Sequence, residues 1–280
     1  MNALLRHLAG ALLGLLLLPG AVAAQPNFSR ITLLSAVNGL GGGEAVLLGI
    51  QIEPQTGWKT YWRSAGESGL PPLFTFTVQD NADRPQILWP APKRLTLQGQ
   101  ESYGYDGVVI FPLRVQPIDA ATPLTLVIQA DYAVCKDICV PEQAILKLTI
   151  PPGASRGTVD AASLQAALAK VPQPQHAQSP LRIIMAQFEP DGQGGMLRVT
   201  VEADFPFAAP DLFADGHPDL LFSSPAIRYG GDRRSATFDL TVTRLDPSQL
   251  VAGQSLTLTL VDGGEAVEKQ VSVAQTSGTR

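Results

Sequence analysis

Short runs of alternating apolar and polar residues, separated by glycine and proline, constrain the fold of this chain more than any other feature. The clearest run is 124–134, in which one set of alternate residues is apolar or aromatic: Leu124, Leu126, Ile128, Ala130, Tyr132 and Val134. Successive side chains of a strand point to opposite faces, so this set is predicted to face a core. With 26 glycines, 23 prolines and few helix-period patterns, the chain is predicted to be all-β.

The first half of the chain contains seven such runs, each bounded by turn-forming residues. They span residues 30–37, 45–53, 73–78, 86–89, 108–115, 124–134 and 140–150. Seven short strands in about 120 residues are typical of an immunoglobulin-like β-sandwich. We therefore predict one such domain over residues 25–152.

The second half repeats the strand spacing without a clear sequence repeat. A helical signal at 159–171 and a proline-rich stretch at 172–180 precede it, and together they predict a linker with one short helix over 153–180. The predicted strands that follow are 181–188, 196–203, 226–229, 236–243, 255–261 and 266–274. They predict a second β-sandwich over 181–280, which we interpret as a spacer or a partner-binding module.

The N-terminus is typical of a secretory signal peptide. Arg6 precedes an apolar run at 8–18, and small residues follow at 21–24. We expect residues 1–24 to be removed and the mature protein to lie outside the cytoplasm, without a membrane span, because the run is shorter than the roughly 20 residues that cross a bilayer. A formal charge of −5 without a basic cluster argues against nucleic-acid binding.

The chain has two cysteines, Cys135 and Cys139, at the junction of two predicted strands. Residues 136–138 would then form a three-residue hairpin loop, with the cysteines facing each other within disulfide range. A structural disulfide is one interpretation, since most bridges in exported proteins only add stability. Closing so short a loop contributes only about 2 kcal/mol, however. A redox-active pair is the equal alternative, and Lys136 would favour its thiolate while Asp137 would oppose it.

A metal site is a third interpretation of the pair. Two thiolates together with His176 or His217 would suit a soft metal ion. Those histidines lie far from the cysteines in the sequence, and neither methionine nor histidine accompanies the pair locally. We therefore predict neither a metal site nor any cofactor.

Several segments in the first half resemble the N-terminal periplasmic domain of the thiol:disulfide interchange protein DsbD, in the version found in ScsB-type copper-sensitivity suppressor proteins. They are 57–63 (GWKTYWR), 69–72 (GLPP), 89–92 (WPAP), 103–105 (YGY), 109–114 (VIFPLR) and 131–142 (DYAVCKDICVPE). The last is the most specific, because a two-cysteine hairpin followed by Pro-Glu marks that family. The second half is similar only loosely.

The resemblance implies a periplasmic immunoglobulin-like domain whose redox pair, here Cys135 and Cys139, cycles between disulfide and dithiol under a cap loop. It implies electron transfer from a membrane-embedded donor of the DsbD or CcdA type to periplasmic thioredoxin-like proteins. Family members often space the two cysteines more widely and continue into a membrane domain and a thioredoxin-like domain. The printed sequence includes neither domain, so we expect a separate electron donor. The alternatives are a binding or scaffold protein with a structural disulfide, and a copper-tolerance protein.

Three further features have two interpretations each. The aromatic cluster Trp58, Tyr61, Trp62 and Arg63 is either a wall beside the disulfide or, as we favour, an ordinary core strand. Residues 92–106, with Leu95, Leu97, Tyr103 and Tyr105, are either the cap or a surface loop. Glu142 is either a proton acceptor for a thiol or a solvated side chain.

Overall fold

The computed structural model describes residues 27–97, 99–191, 194–246, 248 and 251–275. The predicted signal peptide lies outside these residues. The first ten strands are β1 (Ser29–Ser35), β2 (Val46–Pro54), β3 (Thr60–Gly66), β4 (Leu73–Asp80), β5 (Ala82–Ile87), β6 (Lys93–Leu97), β7 (Gln100–Tyr105), β8 (Val109–Pro117), β9 (Leu124–Cys135) and β10 (Cys139–Ile150).

A single helix and ten more strands follow. They are α1 (Ala161–Leu168), β11 (Gln173–Pro174), β12 (Leu181–Asp191), β13 (Gly194–Ala203), β14 (Asp211–Asp215), β15 (Leu220–Phe222), β16 (Ala226–Tyr229), β17 (Ser235–Arg244), β18 (Ser255–Asp262), β19 (Glu265–Ser272) and β20 (Ala274–Gln275). The all-β prediction, with one short helix in the linker, is confirmed. No helix in the described part of the chain is long and apolar enough to span a bilayer.

Strands β1–β10, which we call the first domain, form three sheets. Their strand orders are β1-β2-β8-β5, β10-β9-β4 and β3-β7-β6. The alternation predicted for 124–134 is confirmed, because all six residues of the apolar set are buried on β9. They pack against the inward faces of β2 and β8, whose Leu48, Ile50, Phe111 and Leu113 are fully buried. The long hairpin of β9 and β10 carries both cysteines at its closed end.

Strands β6 and β7 were not predicted from the sequence, and β3 was predicted only as the core strand that we favour for the aromatic cluster. Pairing between β3 and β7 is interrupted between Tyr61 and Gly66, and this irregularity hides the two-residue period. Residues 92–106, predicted as a cap or a surface loop, instead form the β6–β7 hairpin. The surface-loop interpretation is wrong because Leu95, Tyr103 and Tyr105 are buried.

The linker is attached to both domains rather than suspended between them. Leu164 of α1 is fully buried beside β2, where Gly49 leaves room for it, since a β-carbon at Gly49 would lie 2.5 Å from the Leu164 side chain. The proline-rich stretch, predicted as part of the linker, pairs through β11 in parallel with β19. This pairing uses backbone groups alone, so it leaves no periodic pattern in the sequence.

The second domain, β12–β20, contains two sheets. Their orders are β15-β17-β13-β12-β20, with β16 also on β17, and β11-β19-β18-β14. Strands β14 and β15 were missed because they lie in what the sequence presents as a proline-rich connection. Leu212, Phe213 and Ala214 are all buried, so β14 shows no alternation.

The two domains share a tightly packed interface. Phe213 of the second domain joins the core of the first, where its ring lies edge-on to Tyr103 and Trp62 at centroid distances of 5.1 and 6.1 Å. The Tyr103 hydroxyl donates to the Phe222 carbonyl at 2.9 Å. The first domain's β3-β7-β6 sheet is therefore covered by the second domain.

Candidate functional site

The site lies at the closed end of the β9–β10 hairpin, where Cys135 and Cys139 face each other and form a disulfide. The Cys135 backbone exchanges both of its hydrogen bonds with Lys59 at 2.9 Å, on the side away from Cys139. The two cysteines are therefore a non-hydrogen-bonded pair, the kind that brings opposing side chains closest. Their Cα atoms are 4.1 Å apart, at the short end of the range for such pairs. The predicted three-residue loop, 136–138, closes the hairpin.

The two sulfurs have different surroundings. Cys135 is 1% exposed and packs against Tyr61, Ala65 and Ala133. Cys139 is exposed, and Ile138 beside it is 62% exposed. The Cys139 side of the bridge is therefore the more accessible to an external thiolate, and attack there would make Cys135 the leaving sulfur.

Tyr61 on β3 is the side chain that contacts both sulfurs. Its hydroxyl donates to Cys135 Sγ at 2.8 Å and lies 3.3 Å from Cys139 Sγ. Burial raises the pKa of Tyr61, so the hydroxyl keeps its proton at neutral pH and remains a donor. A hydrogen bond at this point would stabilise a thiolate developing on Cys135.

A glycine-containing loop, residues 66–72, lies against the Tyr61 ring. Gly69 has a φ of +124°, and a β-carbon there would lie 2.1 Å from Tyr61 Cε1, so only glycine fits. The loop is tied to β7 by backbone and side-chain hydrogen bonds between Glu67 and Glu101. Leu70, next to Gly69, is 52% exposed. Residues 66–72 thus pack against the Tyr61 ring and restrict its position.

Glu142, predicted as either a proton acceptor or a solvated residue, has a third role. Its carboxylate accepts hydrogen bonds from the Phe28 backbone at 2.6 Å, from the Ser29 hydroxyl at 2.5 Å and from the Tyr132 hydroxyl at 2.9 Å. It therefore fastens the start of β1 to the hairpin that carries the cysteines. No sequence pattern points to this, because Phe28 and Ser29 lie more than 100 residues from Glu142 in the chain.

The aromatic cluster divides between two roles. Tyr61 forms part of the wall beside the disulfide, which is the interpretation that we did not favour. Trp62 and Arg63 face the second domain instead, where Arg63 binds Asp215 and Glu268. Trp58 stacks on Phe28 at a centroid distance of 4.2 Å.

The metal-site interpretation gains no support from the fold. His176 accepts a backbone hydrogen bond within its own turn, and His217 does the same beside Asp219. Within the described ranges, no three His, Cys, Asp or Glu side chains come close enough together to hold a metal ion.

Comparison with known proteins agrees with the geometry. Residues 36–151 match the family model described as "Thiol:disulfide interchange protein DsbD, N-terminal", and residues 170–276 match a domain of unknown function, DUF8393. No curated protein matches the chain. The fold is similar to the crystal structure of the N-terminal periplasmic domain of ScsB from Proteus mirabilis, with a TM-score of 0.71 and 21% identity over 90% of this chain and 95% of that one.

The match of residues 36–151 covers the sandwich that carries the disulfide, and the structural similarity extends across both domains. The predicted resemblance and the predicted link to thiol–disulfide interchange are confirmed. Residues 36–151 therefore match the N-terminal domain of the DsbD thiol:disulfide interchange family.

Proposed function

We propose that this protein transfers electrons in the periplasm through the Cys135–Cys139 pair, with Cys139 as the sulfur that exchanges with partners. The observation that carries the proposal is the asymmetry of the pair. Cys139 is an exposed residue at the tip of the hairpin, whereas Cys135 is buried with its sulfur against a tyrosine hydroxyl. A bridge that only added stability would not require this arrangement.

Transfer to a partner begins from the dithiol. The Cys139 thiolate attacks one sulfur of the partner's disulfide, and the partner's other sulfur leaves as a thiolate and takes up a proton. The Cys135 thiolate then attacks Cys139 Sγ, which forms the intramolecular disulfide and releases the second partner sulfur. Two electrons pass to the partner, and the pair is oxidised.

Recharging runs in the opposite direction. A donor thiolate attacks Cys139 Sγ, and Cys135 leaves as a thiolate, stabilised by the Tyr61 hydroxyl. The donor's second thiolate then resolves the mixed disulfide and frees Cys139. We propose a membrane-embedded donor of the DsbD or CcdA type and thioredoxin-like acceptors, because these are the partners that the family implies. No diffusible cofactor takes part in either direction.

The reduction potential of the pair tests this function. Purified protein is equilibrated in glutathione or dithiothreitol redox buffers, and its free thiols are then alkylated and counted. We expect a potential between about −120 and −270 mV, the range of exchange proteins. A potential below about −300 mV would identify the bridge as structural.

Trapping of mixed disulfides tests the assignment of the two sulfurs. The Cys135→Ser variant keeps the Cys139 thiol and is expected to accumulate a mixed disulfide with a thioredoxin-like protein that retains one active-site cysteine, supplied as its thionitrobenzoate mixed disulfide so that thionitrobenzoate leaves. The matched Cys139→Ser variant keeps only the buried thiol and is expected to trap little. Equal trapping by the two variants would contradict the assignment of Cys139.

A further inference from the structure

The second domain provides contacts that bear directly on the redox site. Its edge strand β14 presents Asp211 and Asp215 to two arginines of the first domain. Arg63 donates to Asp215 at 2.9 Å and to Glu268 at 2.5 Å. Arg94 donates to both carboxylate oxygens of Asp211 at 3.0 and 3.2 Å. Both pairs are largely shielded, with arginine side chains only 21% and 15% exposed.

These contacts hold strand β3, whose pairing with β7 in its own sheet is interrupted. Register between β3 and β7 holds at Tyr61 with Gly104, is lost over the next four residues, and resumes at Gly66. Backbone pairing therefore does not fix residues 62–65. In this stretch Trp62 packs against Phe213, and Arg63 is held by Asp215 and Glu268. Contacts with the second domain thus hold residues 62–65, where the pairing of β3 with β7 is interrupted. This stretch directly follows Tyr61, which contacts both sulfurs.

A second connection reaches the other side of Tyr61. Glu101 on β7 is bound by Arg94 at 3.1 Å and by the hydroxyl of Ser224 in the second domain. The Glu101 backbone also holds Glu67 of the glycine-containing loop: its carbonyl accepts from the Glu67 N–H, and its N–H donates to the Glu67 carboxylate. That loop packs Gly69 on the Tyr61 ring. The ring is therefore held between two segments, each of which is anchored on the second domain.

We propose that the second domain is a positioning element for the redox pair: through Asp211, Asp215 and Phe213 it holds the Tyr61 hydroxyl on Cys135. The arginines and aspartates are positioning residues, since they act through Tyr61 and contact neither sulfur. The biological meaning of the proposal rests on the proposed function, but its test does not need a physiological partner.

The test is a double-mutant cycle on the rate at which dithiothreitol reduces the disulfide. One thiolate of dithiothreitol attacks Cys139 Sγ, Cys135 leaves, and the second thiolate completes the two-electron reduction. Asp211→Asn combined with Asp215→Asn removes both negative charges with little change in shape. The full chain carrying these changes is expected to be reduced about threefold more slowly, or slower still, than the wild type. In a Tyr61→Phe background, the same pair of changes is expected to have no effect on the rate.

The matched control is Asp239→Asn. Asp239 is a buried carboxylate of the second domain that pairs with Arg198 and Arg228, away from the interface. It is expected to leave the rate within the error of the wild type. The proposal is overturned if Asp239→Asn slows reduction as much as the interface changes do, if the interface changes leave the rate unaltered or raise it, or if their effect persists without the Tyr61 hydroxyl.

A milder variant keeps the proposal testable if the interface changes prevent folding. Tyr103→Phe removes only the hydroxyl that donates to Phe222, and Tyr105→Phe removes a buried hydroxyl that bonds within the first domain. Slower reduction for the first variant alone supports the positioning role, and equal rates refute it. The proposed function is tested separately, by the reduction potential of the wild-type cysteine pair. A failure of the proposed function can therefore be told apart from a failure of the positioning role.

Discussion

Removing the Tyr61 hydroxyl is the sharpest perturbation that the site offers. In the disulfide, the hydroxyl donates to a neutral sulfur at 2.8 Å. During reduction the same sulfur becomes a thiolate. A hydrogen bond to a charged group contributes about 1.5–3 kcal/mol, and a neutral one about 1 kcal/mol. Tyr61→Phe is therefore expected to destabilise the leaving thiolate by about 1 kcal/mol more than it destabilises the disulfide.

This difference has two measurable consequences. Reduction by dithiothreitol is expected to slow about fivefold, since 1.4 kcal/mol corresponds to a factor of ten. The potential is expected to become about 20 mV more negative, because the reduced form loses more stabilisation than the oxidised form. Tyr105→Phe is the control, since that buried hydroxyl donates to the Pro90 carbonyl and to no sulfur. Reduction of Tyr61→Phe at the wild-type rate would refute the reasoning.

Three further predictions concern stability, measured by urea unfolding. Gly69→Ala forces a β-carbon into the Tyr61 ring and is expected to destabilise the protein by about 2–3 kcal/mol. Gly153→Ala is expected to destabilise it clearly less, because Gly153 also has a positive φ but has open space around it. Equal losses for the two variants would leave only backbone strain as the cause. Glu142→Gln is expected to cost about 1–2 kcal/mol. Glu53→Gln, which weakens an exposed ion pair between β1 and β2, is expected to cost less than about 1 kcal/mol. The reverse order would contradict the network assigned to Glu142. Stability is expected to fall as the pH rises above about 10, where unfolded tyrosines ionise first. Burial raises the pKa of four tyrosines, Tyr61, Tyr103, Tyr105 and Tyr132. A urea midpoint that is unchanged between pH 9 and pH 11 would exclude this effect.

The sequence predicts the regular strands well and the irregular ones poorly. The run at 124–134 is buried as its alternation predicts, because one face of β9 packs on the core and the other does not. Strand β3 has a register break, and β14 is buried along its centre, so neither shows a two-residue period. Strand β14 was missed for that reason, and β3 was predicted only through its aromatic residues; both strands lie at the interface between the domains.

The aspartates of the second domain illustrate what the sequence could not provide. Asp204, Asp211, Asp215 and Asp219 match no ligand spacing in the sequence. In the structure Asp211 and Asp215 lie at the two ends of β14, and each binds an arginine more than 115 residues earlier in the chain. Burial lowers the pKa of Arg94, but the hydrogen bond to Asp211, the charge of Asp211 and the nearby Tyr103 together outweigh it, so the pKa of Arg94 is raised overall and the pair stays charged.

The sequence by itself determined the cysteine hairpin, the all-β class and the family of the first domain. These depend on local spacing: two cysteines four positions apart at a strand junction, and side chains that alternate along each strand. Only the tertiary structure decided which sulfur is exposed, that Tyr61 contacts both sulfurs, and that the second domain holds the strand carrying it. These depend on residues distant in sequence, which the chain brings together only when its sheets pack.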